Sequence, residues 1–332
     1  MSDRISNETE LIQTYLAPLA RGCAGALDLS DDAAYISPIP GMDIVISTDP
    51  ILAGVHFFAD DNANDIAWKA LAVNVSDLAA KGAMPVAYTM TLAFPDAPER
   101  AWMERFASGL AAAQQAFGCH LIGGDTDRTS GPLAIGITAI GQVPTGKMVR
   151  RRGARAGDHV FVTGTLGDAA LGLKLRSSGS IFGAKVTDEA KSWLIDRYLR
   201  PQPRLQISAV LQRYATAAMD ISDGFLKDLR RLCGPQGIAL TFSDLPLSTS
   251  ARQIIMADIE QRACVLAGGD DYEILFSVMA ADKAAMMAAA SLLGVCIKEV
   301  GVLRNESEIL VRDDEGNVIE VSQSGYDHFN SL

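Results

Sequence analysis

Ala67-Trp-Lys-Ala-Leu-Ala-Val-Asn-Val-Ser-Asp-Leu-Ala-Ala-Lys-Gly82 decides how the first half of this chain folds. Apolar side chains at Ile66, Ala70, Val73 and Leu78 recur near the helical period, so the spacing predicts a helix over 65–81 that stops at Gly82. Asp77 lies among alanine, leucine and valine, where a carboxylate needs a partner because an isolated buried charge costs several kcal/mol or more. Lys81, four residues on, is a local candidate.

Working outward, 43–47 and 86–94 read as strands on either side of this helix, and 33–37 reads as another, set off by the turn residues Pro40-Gly41. A helix is expected over 4–20, with Ser6 and Glu10 at its start and Pro18 near its end, and an amphipathic one over 100–117. Strands at 120–123 and 133–143 complete this half. A Gly- and Arg-rich passage from 146 to 158 changes the composition and marks a boundary, giving domains of 1–147 and 148–332. Beyond it, strands are expected at 159–163, 217–219, 238–242, 273–278, 297–303, 308–312 and 318–321. Helices are expected at 168–177, 188–199, 204–215, 225–232 and 281–293. Strand and helix mix in both halves, so the fold class is α+β with two domains.

The chain has 332 residues, 48% of them apolar, and a net charge of −11. That charge argues against a nucleic-acid partner, and an acidic chain holds phosphates through divalent cations. Five cysteines, odd in number and scattered, suggest neither disulfides nor zinc. The first ten residues lack the apolar run of a signal peptide and no segment reads as a membrane span, so a cytoplasmic location is expected.

Several aspartates stand where a strand begins or ends: Ser30-Asp31-Asp32, Ser47-Thr48-Asp49, Gly123-Gly124-Asp125-Thr126 and Asp220-Ile221-Ser222-Asp223-Gly224. Each alone is an ordinary turn or capping residue. Together with Asp77 they form a set of hard oxygen donors suited to several Mg²⁺ ions bridging to phosphates. Gly141-Gln-Val-Pro-Thr-Gly-Lys147 imitates a P-loop, but Met148 replaces the required hydroxyl residue and no helix pattern follows. The basic run Lys147, Arg150, Arg151, Arg152 and Arg155 is either a solvated linker or a phosphate contact.

In order and spacing these pieces resemble the thiamine-monophosphate kinase family, in the superfamily that includes aminoimidazole ribonucleotide synthetase and selenophosphate synthetase. Further resembling pieces are His56-Phe57, Val162-Thr-Gly-Thr165, Gly268-Gly-Asp-Asp-Tyr-Glu273 and Gly325-Tyr-Asp-His-Phe329. The resemblance implies an N-terminal α+β domain that dimerises through its sheet, and a C-terminal α/β domain. It implies transfer of the ATP γ-phosphoryl to thiamine monophosphate. By position, Asp32, Ser47, Thr48, Asp49, Asp77, Asp125, Asp220 and Asp223 would bind Mg²⁺; Gly124, Asp125, Arg151 and Ser222 would contact ATP; His56, Asp270 and Tyr326 would contact thiamine monophosphate. Ser30 and Asp270 depart from the family's usual Gly and Glu, so the first turn is expected to differ and Asp270 to reach its ligand through water. The alternatives are a sister synthetase with another acceptor, or a non-catalytic ATP-binding regulator.

Overall fold

The computed structural model describes residues 3–178, 186–321 and 325–327. It divides into two compact units, Met1–Leu78 with Ala83–Gly146, and Ala79–Gly82 with Lys147–Leu332.

The first unit opens with α1 (Glu8–Leu11), a π-helical turn and α2 (Ala17–Ala20), followed by β1 (Met42–Leu52), α3 (Ala63–Ala80), β2 (Met84–Phe94), α4 (Arg100–Phe117), β3 (His120–Arg128) and β4 (Ala134–Pro144). Its sheet runs β1-β4-β2-β3, antiparallel except for the parallel β2–β3 pair. The expected first helix therefore starts later, at Glu8, where the Asn7 side chain accepts the Glu10 amide. Residues 33–37 form no strand: they are mostly exposed, and Tyr35 donates its amide to Gly25 without a ladder beside it. β4 ends at Pro144 with no helix after it, which disposes of the P-loop imitation.

α4 buries Met103, Phe106, Leu110, Ala113 and Phe117 along one face, and Gly118 ends it in the left-handed conformation. α3 is different. From Ile66 to Ala80 only Trp68 and Asp77 escape full burial, so Lys69, Asn74 and Ser76 sit in the interior. A helix enclosed in this way must find partners for every polar atom it carries.

The second unit contains β5 (His159–Thr163), α5 (Asp168–Ser178), α6 (Asp188–Leu199), α7 (Ser208–Tyr214), β6 (Ala215–Asp220), α8 (Phe225–Cys233), β7 (Ile238–Thr241), α9 (Thr249–Ala257), α10 (Gln261–Ala267), β8 (Ile274–Val278), α11 (Lys283–Ser291), β9 (Ile297–Val302) and β10 (Ile309–Arg312). The main sheet is β6-β8-β5-β9, antiparallel throughout, and β10 pairs in parallel with β7. Both faces of the main sheet are covered. Val160, Val162, Met219 and Leu275 point into one core; Phe161, Ala218, Phe276 and Val278 point into the other. Phe161 stacks on Phe276 with centroids 5.5 Å apart, and truncating either ring in such a core costs about 3–5 kcal/mol. The sequence pattern misses α9 and α10; Ser248 caps α9 by accepting the Ala251 amide. The strand expected at 318–321 is reduced to one bridge between Val318 and Arg312. Among the described residues no helix is long and apolar enough to cross a membrane.

Asp271, from far along the chain, caps the start of α5 by accepting the amides of Gly167 at 2.7 Å and Ala169 at 3.4 Å. Burial pushes its carboxyl well above the usual carboxylate range; the Gly167 amide opposes this, and the charges of Asp168 and Glu273 add to it. A carboxyl raised in the folded state supports folding below its unfolded value and loses that support as pH climbs through the folded value. Thermal unfolding across about pH 4 to 8 checks this. The midpoint of the parent protein should fall with rising pH more than that of Asp271→Asn, and parallel curves would place Asp271 at its ordinary value.

Candidate functional site

In the first unit, the site residues come from the segment before β1, from β1 and the loop after it, and from α3 and β3. β1 is an edge strand, so its outer backbone groups need partners from elsewhere. Asn74, inside α3 and 0% exposed, supplies them for Asp49: its Oδ1 accepts the Asp49 amide at 2.8 Å and its Nδ2 donates to the Asp49 carbonyl at 3.2 Å. One helix turn on, half-buried Asp77 accepts a hydrogen bond from the Ser47 hydroxyl at 2.5 Å. Lys81, the local candidate, donates to the Ala218 carbonyl at 2.7 Å.

Strand register sorts the remaining donors. Residues paired across strands share a face, and neighbours along a strand alternate. Thr48 pairs with Thr138, Thr138 with Thr89, and Thr91 with Asp125, so Thr48 and Asp125 belong to one face and Ser47 and Asp49 to the other. The Thr48 hydroxyl lies 3.0 Å from that of Thr138. Gly124, before exposed Asp125, has φ +155, and a Cβ there would stand 1.7 Å from the Met90 carbonyl oxygen. Only glycine lets β3 approach β2 so closely.

His56 is oriented by its neighbours. The Leu52 amide donates to Nδ1 at 3.0 Å, which selects the neutral tautomer with hydrogen on Nε2, and the Lys69 ammonium donates to the His56 carbonyl at 2.9 Å. Exposed Asp32 follows three successive residues with left-handed φ, Leu27 (+50°), Asp28 (+54°) and Leu29 (+53°). Ser30 itself has φ −114°, open to any L-residue, so replacing glycine there introduces no strain.

In the second unit, Asp220 ends β6 and is 6% exposed. The Ser222 and Asp223 amides both donate to Asp228 Oδ2, at 3.1 and 3.0 Å. Burial raises the Asp228 carboxyl, while the Asp223 amide and Arg231 pull it down. Asp223 pairs with Lys227 at 3.1 Å and Arg231 at 2.7 Å, and its carbonyl accepts the Tyr326 amide at 2.8 Å. The Asp270 amide donates to the Ser222 carbonyl at 2.9 Å. Asp270 has φ +70°, a conformation that aspartate adopts more readily than most L-residues. Tyr326 is 42% exposed; His328 and Phe329 of the same tail lie outside the described residues. The basic run is no free linker: the Ala218 amide donates to the Arg150 carbonyl at 3.0 Å, which ties the segment carrying exposed Arg151 to β6.

The structure thus joins Ser47 with Asp77, and Ser222 and Asp223 with Asp270 and Tyr326. Among the described residues no group of three or more His, Cys, Asp or Glu side chains gathers into a metal cluster. The donors are carboxylates and hydroxyls with no thiolate, a set whose chemistry fits a hard cation such as Mg²⁺. Sequence reasoning missed Lys69, Asn74 as a clamp, Asp228 and Glu273. Lys69 and Asn74 left a signal, being polar on an otherwise apolar helix, and Glu273 stood in the resembling 268–273 piece without a role; Asp228 looks like an ordinary surface acid.

Residues 30–143 match the family model described as AIR synthase related protein, N-terminal domain. The thiamine-monophosphate kinase of Caulobacter vibrioides is 40% identical over 299 residues, covering 89% of this chain and 83% of that one. The crystal structure of thiamine-monophosphate kinase from Stenotrophomonas maltophilia superposes with a TM-score of 0.78 at 38% identity, covering 87% of this chain and 90% of that chain. AaThiL complexed with AMPPCP and TMP superposes with a TM-score of 0.76 at 29% identity, over 88% and 89% of the two chains. With identity at this level sustained along most of both chains, this chain belongs to the thiamine-monophosphate kinase family.

Proposed function

We infer that this chain transfers the γ-phosphoryl group of ATP to thiamine monophosphate, giving thiamine diphosphate and ADP. The observation that carries the reading is the 40% identity to a thiamine-monophosphate kinase over 83% of that enzyme's length. The likeness to AaThiL, which holds AMPPCP and TMP, supports both substrates.

Asp32, Ser47, Thr48, Asp49, Asp77, Asp125, Asp220 and Asp223 are proposed to hold several Mg²⁺ ions. Bound there, Mg²⁺ supplies positive charge that lets two phosphate anions approach. Asp223 reaches this role by exchanging its Lys227 and Arg231 partners. Gly124, Asp125, Arg151 and Ser222 contact ATP, the glycine by bringing bare backbone close and the arginine by charge. His56, Asp270 and Tyr326 contact thiamine monophosphate. A divided role is proposed for the segments 1–147 and 148–332, the first carrying most metal donors and the dimer contact. Exposed Ile44 and Ile46, two residues apart on the Thr48 face of β1, support a homodimer formed through that sheet. A cytoplasmic location accords with biosynthetic chemistry on ATP.

The attacking atom is a phosphate oxygen whose last proton leaves at about pH 6, so it is largely dianionic at neutral pH without a general base. The residues therefore align and screen rather than move protons. Transfer is direct, and no phospho-aspartyl enzyme should accumulate when γ-labelled ATP is mixed with the protein.

The deciding assay supplies ATP, Mg²⁺ and thiamine monophosphate and follows thiamine diphosphate. Turnover with this acceptor, lost on chelation, is the expected result; none with it but turnover with another acceptor would point to a sister synthetase. Asp77→Ala should lower kcat/KM by about 10² to 10³, the scale of losing a group that stabilises transferring charge, with the unfolding midpoint little changed. Full activity in this variant would remove α3 from the metal site. Tyr326→Ala, at an exposed position, should raise KM for thiamine monophosphate without lowering stability by more than about 0.5 kcal/mol. A loss of stability at unchanged KM would make the tyrosine a packing residue.

A further inference from the structure

Two distant sequence segments, around 163 and 197–204, converge on one buried carboxylate in the second unit. Glu273 is 0% exposed. Its side chain accepts the Thr163 hydroxyl at 2.7 Å, Arg204 Nε at 2.6 Å and Arg197 Nη2 at 3.3 Å, and Arg204 Nη2 completes a two-pronged pair. Thr163 in turn accepts the Ile274 amide on its hydroxyl oxygen at 2.8 Å. Gly164 has φ +56°, and a Cβ there would fall 2.1 Å from Glu273 Oε1, so the turn after β5 is shaped around this carboxylate.

The backbone beside Glu273 is bonded to the loop after β6. The Ile221 amide donates to the Glu273 carbonyl at 2.8 Å, Tyr272 donates to Ile221 at 2.8 Å, and Asp270 donates to Ser222 at 2.9 Å. Between these bonds Asp270 and Tyr272 hold φ of +70° and +49°, which free L-residues resist. A strained segment keeps such a shape only when both its ends are held. A buried ion network is a weak way to stabilise a core, since apolar side chains often serve as well; here the two-pronged Arg204 pair fixes where the Glu273 carboxylate sits.

We propose that Glu273, gripped by Thr163, Arg197 and Arg204, is a positioning residue that locks the segment 270–272, with its left-handed Asp270 and Tyr272, against 221–223. It thereby presents Asp270 to thiamine monophosphate and Ser222 to ATP in one fixed arrangement. This rests on the substrate reading above and adds to it residues that touch neither ligand. Thr163 and Gly164, part of the resembling Val162-Thr-Gly-Thr165 piece and so far without a role, belong to this frame.

The test compares Thr163→Val, which keeps the shape but loses the hydroxyl, with Thr163→Ser, which restores it. Leu171→Ala, in the core of the same unit, is the control for general loosening. Thr163→Val should raise KM for thiamine monophosphate at least about fivefold with kcat within about twofold, and Thr163→Ser should return KM to the parent value. Amide exchange at Ile221, Asp270 and Tyr272 should quicken at least about tenfold in Thr163→Val, and not in Leu171→Ala. An unchanged KM in Thr163→Val, an equal rise in Leu171→Ala, or unaltered exchange would overturn the frame. Should Thr163→Val fail to fold, Arg204→Lys, which keeps the charge but breaks the two-pronged pair, is read by the same criteria. Exchange needs no turnover, so an inactive parent protein would refute the kinase reading while exchange alone still decides for or against the frame.

Discussion

The carboxamide of Asn74 closes the open edge of β1 at Asp49 from within a helix that has almost no surface of its own. That constraint orders much of the first unit. Because α3 is enclosed, each of its polar atoms requires a partner; Lys69, Asn74 and Asp77 each reach one in β1 or the loop after it, and Asn74 Nδ2 also donates to the Ala70 carbonyl of its own helix. Lys69 holds the carbonyl of His56, Asn74 holds Asp49, and Asp77 takes the hydroxyl of Ser47. The interior polarity of α3 and the placement of three residues proposed for the site are the same set of hydrogen bonds.

The second unit meets a similar demand with charge. Asp271, Asp228 and Glu273 are each nearly inaccessible, and each ends a different stretch of backbone: Asp271 the start of α5, Asp228 the turn into α8, Glu273 the approach to β8. Their satisfied oxygens explain how an acidic chain stores carboxylates in its interior. Most carboxylates proposed to bind cations differ in kind, since Asp32, Asp49 and Asp125 lie exposed and Asp77 and Asp223 are half-buried; Asp220, at the end of β6, is the buried member of that set.

What could be read in the sequence was local. The helix over 100–117 ends where Gly118 adopts its left-handed turn, and α3 ends beside Gly82, because glycine punctuation acts within a few residues. The segment 33–37 has strand composition yet no neighbour, and pairing, which no single segment encodes, decides strands. The same gap hid the division of Thr48 and Asp125 from Ser47 and Asp49, since faces are assigned by register with strands elsewhere in the chain. Asp77 was legible as a residue needing a partner, but Ser47, 30 positions away, was not legible as that partner. Glu273 lies 110 positions from Thr163, beyond the reach of any pattern in the sequence around either one.

β5 is hydrogen-bonded on one side to β8 and on the other to β9, both more than a hundred residues later in the chain. The sheet of the second unit therefore cannot close until residue 302 has been made, whereas every strand of the first unit's sheet is made by residue 144. Long-range pairing of this kind is slow, and a strand as apolar as His-Val-Phe-Val-Thr must wait for it with its edges open. The order of birth along the ribosome thus divides the molecule in time: one half assembles early, while the other leaves β5 exposed to misassembly or in need of shelter by chaperones.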